Sequence, residues 1–448
     1  MQPSARLAAP LEARLEAELP RTAAALVVGL SGGKDSACLL ALVASLRDAR
    51  RAPPVRAIHV DHGLQPAAAE FRRVCAALCA RSRVPLEVLA VPVALGRGVS
   101  VEAAARTARY AALARALRTG EYLLTAHQAE DQAETVLLQA LRGAGPAGLA
   151  GMPRCRVLGA GRHLRPFLAV PRDEIERCAD ALALETIADP MNRDERYDRA
   201  YLRQQVWPLL ERRWPGAAAA LGRVARHAAD AQALLEANAD ADLARLRDGA
   251  ALSIPRLRAL GAPRRANALR RWIAERAIPP CTARLTEALR QCLEARGDHQ
   301  PAIAWGEHAL RRYRDRLYLT PARLPRLGEP LAWTPAAEPT LELGEGLGRL
   351  RVVRRPGGLA LDRLPPTLTV ARRRGGERLK IAPRAATRTV QHLCQTDGVL
   401  PWMRDALPFV SAGGRLIAVG DRWREASACA RSGEPGAAIA WEGAPALD

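Results

Sequence analysis

Lysine is almost missing from these 448 residues: Lys34 and Lys380 are the only two. Arginine supplies the remaining positive charge, and that swap leaves the formal net charge at +20. An excess of this size calls for a partner of opposite sign, and nucleic acid is the commonest polyanion. A membrane surface is the rival reading, but no basic amphipathic helix with large apolar anchors is present, so no membrane partner is expected. No apolar run reaches the length needed to span a bilayer. Near the start, Glu12, Arg14, Glu16 and Glu18 interrupt any apolar stretch of the kind a secretory leader carries. Nine scattered cysteines without a C-x-x-C pair argue against a disulfide framework and a zinc ribbon. Together these absences predict a globular protein of the reducing cytoplasm. Oligomeric state is not legible, and a homodimer stays open.

What is present is a repeating pattern. Short apolar runs at Ala25–Leu30, Arg56–Val60, Glu87–Val93 and Glu121–Ala126 alternate with helical stretches at Ser36–Asp48, Ala67–Arg81 and Val101–Arg118. That alternation predicts α/β architecture with a doubly wound parallel sheet, whose ligands bind beyond the carboxyl ends of the strands. A helical tail at Tyr201–Trp214 ends at Trp214-Pro215-Gly216, which sets a first domain at 1–216. Ala/Leu/Arg-rich helical spacing then predicts a mainly helical middle domain over 217–322. Thickening proline and short β runs broken by Gly-Gly pairs predict a small α+β domain over 323–448.

Chemistry concentrates at the strand ends. Ser31-Gly32-Gly33-Lys34-Asp35-Ser36 follows the first strand and opens a helix, so free backbone N–H groups and the positive helix end face an anion. It lacks the spacing of a Walker A loop. Asp35 is placed to hold Mg2+ against bound phosphates. The second strand ends in His59-Val60-Asp61-His62-Gly63-Leu64, read as shaping a nucleotide pocket rather than as a metal site. Arg106, Arg109 and Tyr110 share one helix face, where two guanidiniums suit phosphate as readily as solvent. After the fourth strand, His127, Asp131 and Glu134 converge by helical spacing; carboxylates there suit an ammonium group, and the imidazole suits developing charge. Val136, Leu137 and Ala140 are expected to pack on the sheet. Acidic residues at an ordinary helix start account for Glu130 and Asp131 alone, but not for the set.

The six-residue loop resembles the pyrophosphate-binding (PP) loop of the ATP-pyrophosphatase superfamily. Within it, SGGKDS, HVDHGL, ARTARY, TAHQAEDQAET and RGAGPAGLAGM in this order resemble the tRNA(Ile)-lysidine synthases. So do Asp189-Pro-Met-Asn192, Tyr197–Arg203, the run Arg373–Lys380, Gly398–Asp405 and Gly414–Asp421. Two positions depart from that pattern: Glu130 stands where an aspartate is usual, and Ala200 where an asparagine follows the arginine.

The resemblance implies a PP-loop catalytic domain, a tRNA-binding middle domain and a C-terminal domain that recognises the tRNA acceptor. It implies a ligase that uses ATP and Mg2+ to join L-lysine to C2 of the wobble cytidine of an isoleucine tRNA with a CAU anticodon, releasing AMP and pyrophosphate. AUG reading then becomes AUA reading. Under it, Ser31, Gly32, Gly33, Lys34, Asp35, Ser36, His62 and Arg106 bind the nucleotide. His127, Asp131, Glu134, Arg109 and Arg203 carry the chemistry, and Arg373, Arg374, Arg378, Lys380, Trp402 and Arg404 bind tRNA. Two alternatives are a superfamily tRNA thiolase, opposed by the missing cysteine pair, and an RNA-binding relative with a dead pocket, suggested by Glu130 and Ala200.

Overall fold

The apolar run at 25–29 becomes the middle of a six-stranded sheet, because every second side chain finds a helix on each side. The computed structural model describes residues 3–62, 68–92, 101–188, 194–276, 278, 282–295, 301–431 and 433–445. Gly63-Leu64, Asp189–Asn192 and the last residue of the run Glu87–Val93 lie outside them. The chain divides into two units, Met1–Leu235 and Glu236–Asp448.

The first unit opens with α1 (Pro3–Glu18), β1 (Ala25–Gly29), α2 (Lys34–Asp48), β2 (Val55–Asp61), α3 (Ala68–Arg81) and β3 (Leu86–Ala90). It continues with α4 (Val101–Ala116), β4 (Glu121–Leu124), α5 (Ala129–Leu141), α6 (Pro146–Leu149), β5 (Cys155–Leu158), β6 (Gly161–Leu164) and α7 (Arg172–Ala181). The sheet order is β3-β2-β1-β4-β6-β5. All neighbours are parallel except the β5–β6 hairpin at one edge. Leu26 and Val28 of β1 join the core formed with α1, α2 and α7, while Val27 packs on the other face with Leu113 of α4 and Leu117 just beyond it. Helices on both faces make the strand apolar throughout, as a buried parallel strand requires. Strand order reverses between β1 and β4, which makes their carboxyl ends the crevice where such sheets bind ligands.

Beyond the sheet come α8 (Asp198–Tyr201), a π-helical turn at Leu202–Val206, α9 (Trp207–Arg213) and α10 (Ala217–Leu246). Leu137 and Leu138 of α5 pack against Leu202, Val206, Trp207 and Leu210. Leu137 therefore meets this helical tail rather than the sheet its spacing suggested, Ala140 is exposed and Val136 is buried.

In the second unit the helices expected in the middle region are present, at Ile254–Ala259, Ala262–Ala274 and Thr282–Glu294. They share a core with an antiparallel five-stranded sheet formed between residues 247 and 321, built around Leu252, Leu257, Trp272, Leu310 and Leu317. The end of the chain folds as small antiparallel sheets and one short helix, Val390–Thr396, around Trp333, Leu350, Phe409, Val410 and Trp441. Among the described residues no helix is long and apolar enough to cross a membrane.

Candidate active site

A cavity of about 520 Å³ opens where β1 and β4 end. Ser31, Asp35, His62, Arg106, Arg109, His127, Asp131 and Arg203, all singled out by sequence, line it together.

The loop after β1 is shaped by its own hydroxyls. Ser31 Oγ and Ser36 Oγ lie 3.0 Å apart, Ser36 Oγ donates to the Gly33 carbonyl at 3.1 Å, and Gly33 N donates to Ser31 Oγ at 3.4 Å. Gly32 turns the chain at φ +87°, and a Cβ there would meet Ile187 at 3.1 Å. An L side chain is strained at that φ, so glycine is needed. Helix α2 starts at Lys34, leaving its first amides free behind the loop. Lys34 itself turns to Asp180, 2.7 Å away, with both side chains substantially exposed.

Asp35 accepts from Gln128 Nε2 at 3.3 Å. Burial, reinforced by the charge of Asp131, pushes its carboxyl up to about 6. No group of three His, Cys, Asp or Glu side chains able to hold a metal occurs among the described residues. A cation here would rest on Asp35 and on ligand oxygens, which is how Mg2+ is usually held at phosphates. His62 is held below its ordinary value by burial and then by Arg109, and its Nδ1 is buried without a partner among the described residues. An orphaned imidazole nitrogen on the wall of a polar cavity fits a ligand contact.

The acidic cluster differs from its expected form. Helix α5 begins at Ala129, so His127 lies before it rather than on its face. Glu134 is fully buried and enclosed by arginines: Arg199 Nε donates at 2.8 Å, Arg203 Nε at 2.7 Å and a terminal nitrogen of Arg172 at 3.4 Å. Asp131 accepts from Arg203 at 2.8 Å and from Arg199 at 3.2 Å on one oxygen, and from the Gln128 backbone at 3.1 Å on the other. Arg199 and Arg203 reach these carboxylates from α8 and the π-helical turn, a local widening often found at functional sites. Glu130 points away to accept from the first amide of α7, Arg172 N, at 2.9 Å, so its extra methylene serves a helix end. Ala200 is buried on the cavity wall.

His127 is held on its other side. Thr125 Oγ1 lies 2.8 Å from His127 Nδ1 and 2.8 Å from Nε2 of the fully buried His163. Burial, then Arg165, Arg199, Arg106 and Arg109, hold His127 well below its ordinary value; burial, then Arg165, takes His163 down to about 2. Sequence reading missed Thr125, His163, Arg165 and Arg172. Thr125 stands inside a quoted motif, but no local spacing points to residues on a distant hairpin.

The basic run toward the end of the chain is exposed at Arg372, Arg373, Arg374 and Arg378. Arg373 pairs with Asp405 at 2.6 Å, and Arg378 donates to the Thr387 carbonyl at 3.3 Å. Lys380 is half-buried on a strand end. Arg404 is interior instead, and Trp402 is half-buried against the core. The Trp402 ring meets Tyr318 edge-on at 5.3 Å, and Arg404, 7% exposed, donates to the Val399 carbonyl at 3.4 Å. Their proximity to the basic run in sequence is not shared exposure.

Comparison with known proteins agrees with this geometry. Residues 6–210 match the PP-loop domain, 252–318 the TilS substrate binding domain and 368–441 the TilS substrate C-terminal domain. The chain is 44% identical over 398 residues to a tRNA(Ile)-lysidine synthase of Alkalilimnicola ehrlichii, covering 88% of each protein. It is 42% identical over 401 residues to one from Methylococcus capsulatus, covering 88% of this chain and 90% of that one.

Proposed function

The chain belongs to the tRNA(Ile)-lysidine synthase family, and from that premise we infer that it is an ATP-dependent ligase that forms lysidine on an isoleucine tRNA. The observation that carries the reading is the one cavity in which the glycine loop, a positive wall and the carboxylates of Asp35 and Asp131 meet.

The substrates are L-lysine and a tRNA with a CAU anticodon, whose wobble cytidine reacts. Cytosine O2 attacks the α-phosphate of ATP and pyrophosphate leaves; the lysine ε-amine then attacks C2 and AMP leaves. Asp35 would hold Mg2+ together with phosphate oxygens, and the ion would supply charge neutralisation at the phosphates. Ser31, Ser36 and the α2 amides cradle pyrophosphate, a task for which a helix start suits. Lys34, paired with Asp180 outside the cavity, contributes to the loop's position. Arg106 and Arg109 face the phosphate oxygens from α4, and His62 orients the nucleotide beside them.

Lysine recognition falls to Asp131 with Glu134 behind it. Asp131 lies on the cavity wall and has acceptor capacity beyond its present bonds. Glu134, enclosed by guanidiniums, acts by fixing Arg199 and Arg203, so that Arg203 presents positive charge to the reacting centre. His127 steadies the charge that develops there. The exposed run Arg373, Arg374 and Arg378 with Lys380 supplies affinity for tRNA. Such a reaction belongs in the cytoplasm, where its substrates meet, and a homodimer is compatible with it.

Radiolabelled lysine offered with transcribed isoleucine tRNA tests the reading. Label should enter the tRNA only when ATP is present. Sulfur incorporation instead, or ATP-independent labelling, overturns it.

A further inference from the structure

Thr125, immediately after β4, stands between two imidazoles at equal distance, and a hydroxyl has one proton to give. It donates to one ring and accepts from the other, which couples their tautomers. Among the described residues, the far side of His163 decides between the two arrangements. That ring is fully buried, and its Nδ1 has no partner among the described residues. A buried N–H without an acceptor is rarer than an acceptor left without a donor. Nδ1 of His163 is therefore the bare nitrogen, and Nε2 carries the proton that it donates to Thr125 Oγ1. Thr125 must then donate its own proton to His127 Nδ1, which leaves the proton of a neutral His127 on Nε2, the nitrogen that Thr125 does not engage on a ring lining the cavity.

We propose that Thr125 and His163 are positioning residues that fix His127 as a neutral Nε2–H donor, so that His127 gives a hydrogen bond to the reacting centre and does not act as its base. The proposal rests on the assignment of His127 to the reacting centre made above. The fold builds the device from two neighbouring strand ends, those of β4 and β6. His163 sits on β6 opposite Leu123 of β4, and Thr125 N donates to the Leu164 carbonyl at 3.2 Å, which holds the hydroxyl in register with the buried ring. Tyr110 closes the other side of His163, with ring centroids 5.6 Å apart. The cationic surroundings act in the same direction. Arg165, Arg199, Arg106 and Arg109 all oppose a second proton on His127, and a neutral donor needs none. One consequence concerns the incoming amine: its proton must leave to another group, and Asp131 on the same wall is a carboxylate that can take it.

The experiment combines three variants with one spectroscopic readout. Thr125→Val keeps the shape and removes both hydrogen bonds. It should lower kcat by at least about tenfold, the range for a misdirected donor, with the KM values for ATP, lysine and tRNA little changed. Thr125→Ser should restore most of the rate. In protein carrying 15N-labelled histidine, His127 should show the proton on Nε2 in the wild type and a mixture of tautomers in Thr125→Val, a change that lost packing alone would not produce. His127→Ala separates the two levels: a wild-type rate in that variant removes His127 from the reaction. A slow His127→Ala beside a Thr125→Val of wild-type kcat, or a proton found on His127 Nδ1, overturns the relay while leaving that assignment standing.

Discussion

With no exposed surface and arginines on every side, Glu134 has lost its own access to a ligand, whereas Asp131, one turn away, has kept some. The two carboxylates should therefore respond differently to the same chemical change. Glu134→Gln leaves Arg199 and Arg203 with Asp131 as their remaining counter-charge, so the loss should stay below the ~3–5 kcal/mol of a fully broken buried pair. Thermal unfolding should register it together with a higher lysine KM. Asp131→Asn should raise the lysine KM by one to two decades, from about 1.5–3 kcal/mol for a lost charged hydrogen bond, with the ATP KM and the unfolding temperature little moved. An unchanged lysine KM in both variants would sink the ammonium role. Asp35 allows a separate test. Asp35→Ala should abolish ATP-dependent turnover and leave tRNA affinity largely intact. Because burial brings its carboxyl up to about 6, acidification through that value neutralises it, so the KM for Mg2+–ATP should rise as the pH falls from 7 to 5. A flat KM over that range would remove Asp35 from phosphate binding.

At the scale of elements, the parallel core was legible because a strand buried on both faces is a continuous apolar run. The runs read at 25–30, 56–60 and 121–126 correspond to β1, β2 and β4, and the helix read at 36–48 to α2. The β5–β6 hairpin was not read, since Cys155-Arg-Val-Leu and Gly161-Arg-His-Leu are short, arginine-bearing and carry no apolar run. With the hairpin went His163 and Arg165, half of what surrounds His127. The middle sheet escaped for a similar reason, its strands being brief segments such as Ala251–Ser253 and Ala302–Trp305 between helices. The hairpin also carries a stability prediction. His163 and His127 are neutral in the fold and sit below their unfolded value of about 6.5, so the unfolded chain takes up protons first. Their contribution is present above pH 6.5 and is lost as the pH falls, by about 1.4 kcal/mol per pH unit for each ring. Unfolding midpoints of the wild type should drop on acidification from pH 7 to 5 more steeply than those of His163→Gln. Parallel curves would mean that His163 is charged in the fold.

For the whole molecule, the net charge of +20 points to nucleic acid, but which arginines serve it depends on burial, and burial is not visible in spacing. Arg404 and Trp402 follow the basic run in sequence, yet Arg404 is buried and Trp402 half-buried, whereas Arg372, Arg373, Arg374 and Arg378 are exposed. Even among these the free charge differs: Arg373 is half-satisfied by Asp405, while Arg374 engages Glu377 only through its backbone. A methionine tRNA sharing the CAU anticodon must be refused somewhere other than the anticodon, and a basic surface outside the catalytic unit is available to make that contact. Neutralising Arg373, Arg374 and Arg378 together should weaken tRNA binding and reduce the dependence of log Kd on log salt by up to about 2–3 units if each meets a phosphate. If Arg373 stays with Asp405, the loss should be nearer two. Pyrophosphate release at saturating tRNA should survive, because the three arginines are remote in the chain from every residue of the cavity. Titrating labelled tRNA at several salt concentrations decides it: a wild-type slope in the triple variant would mean that this surface carries its charge for solvent alone.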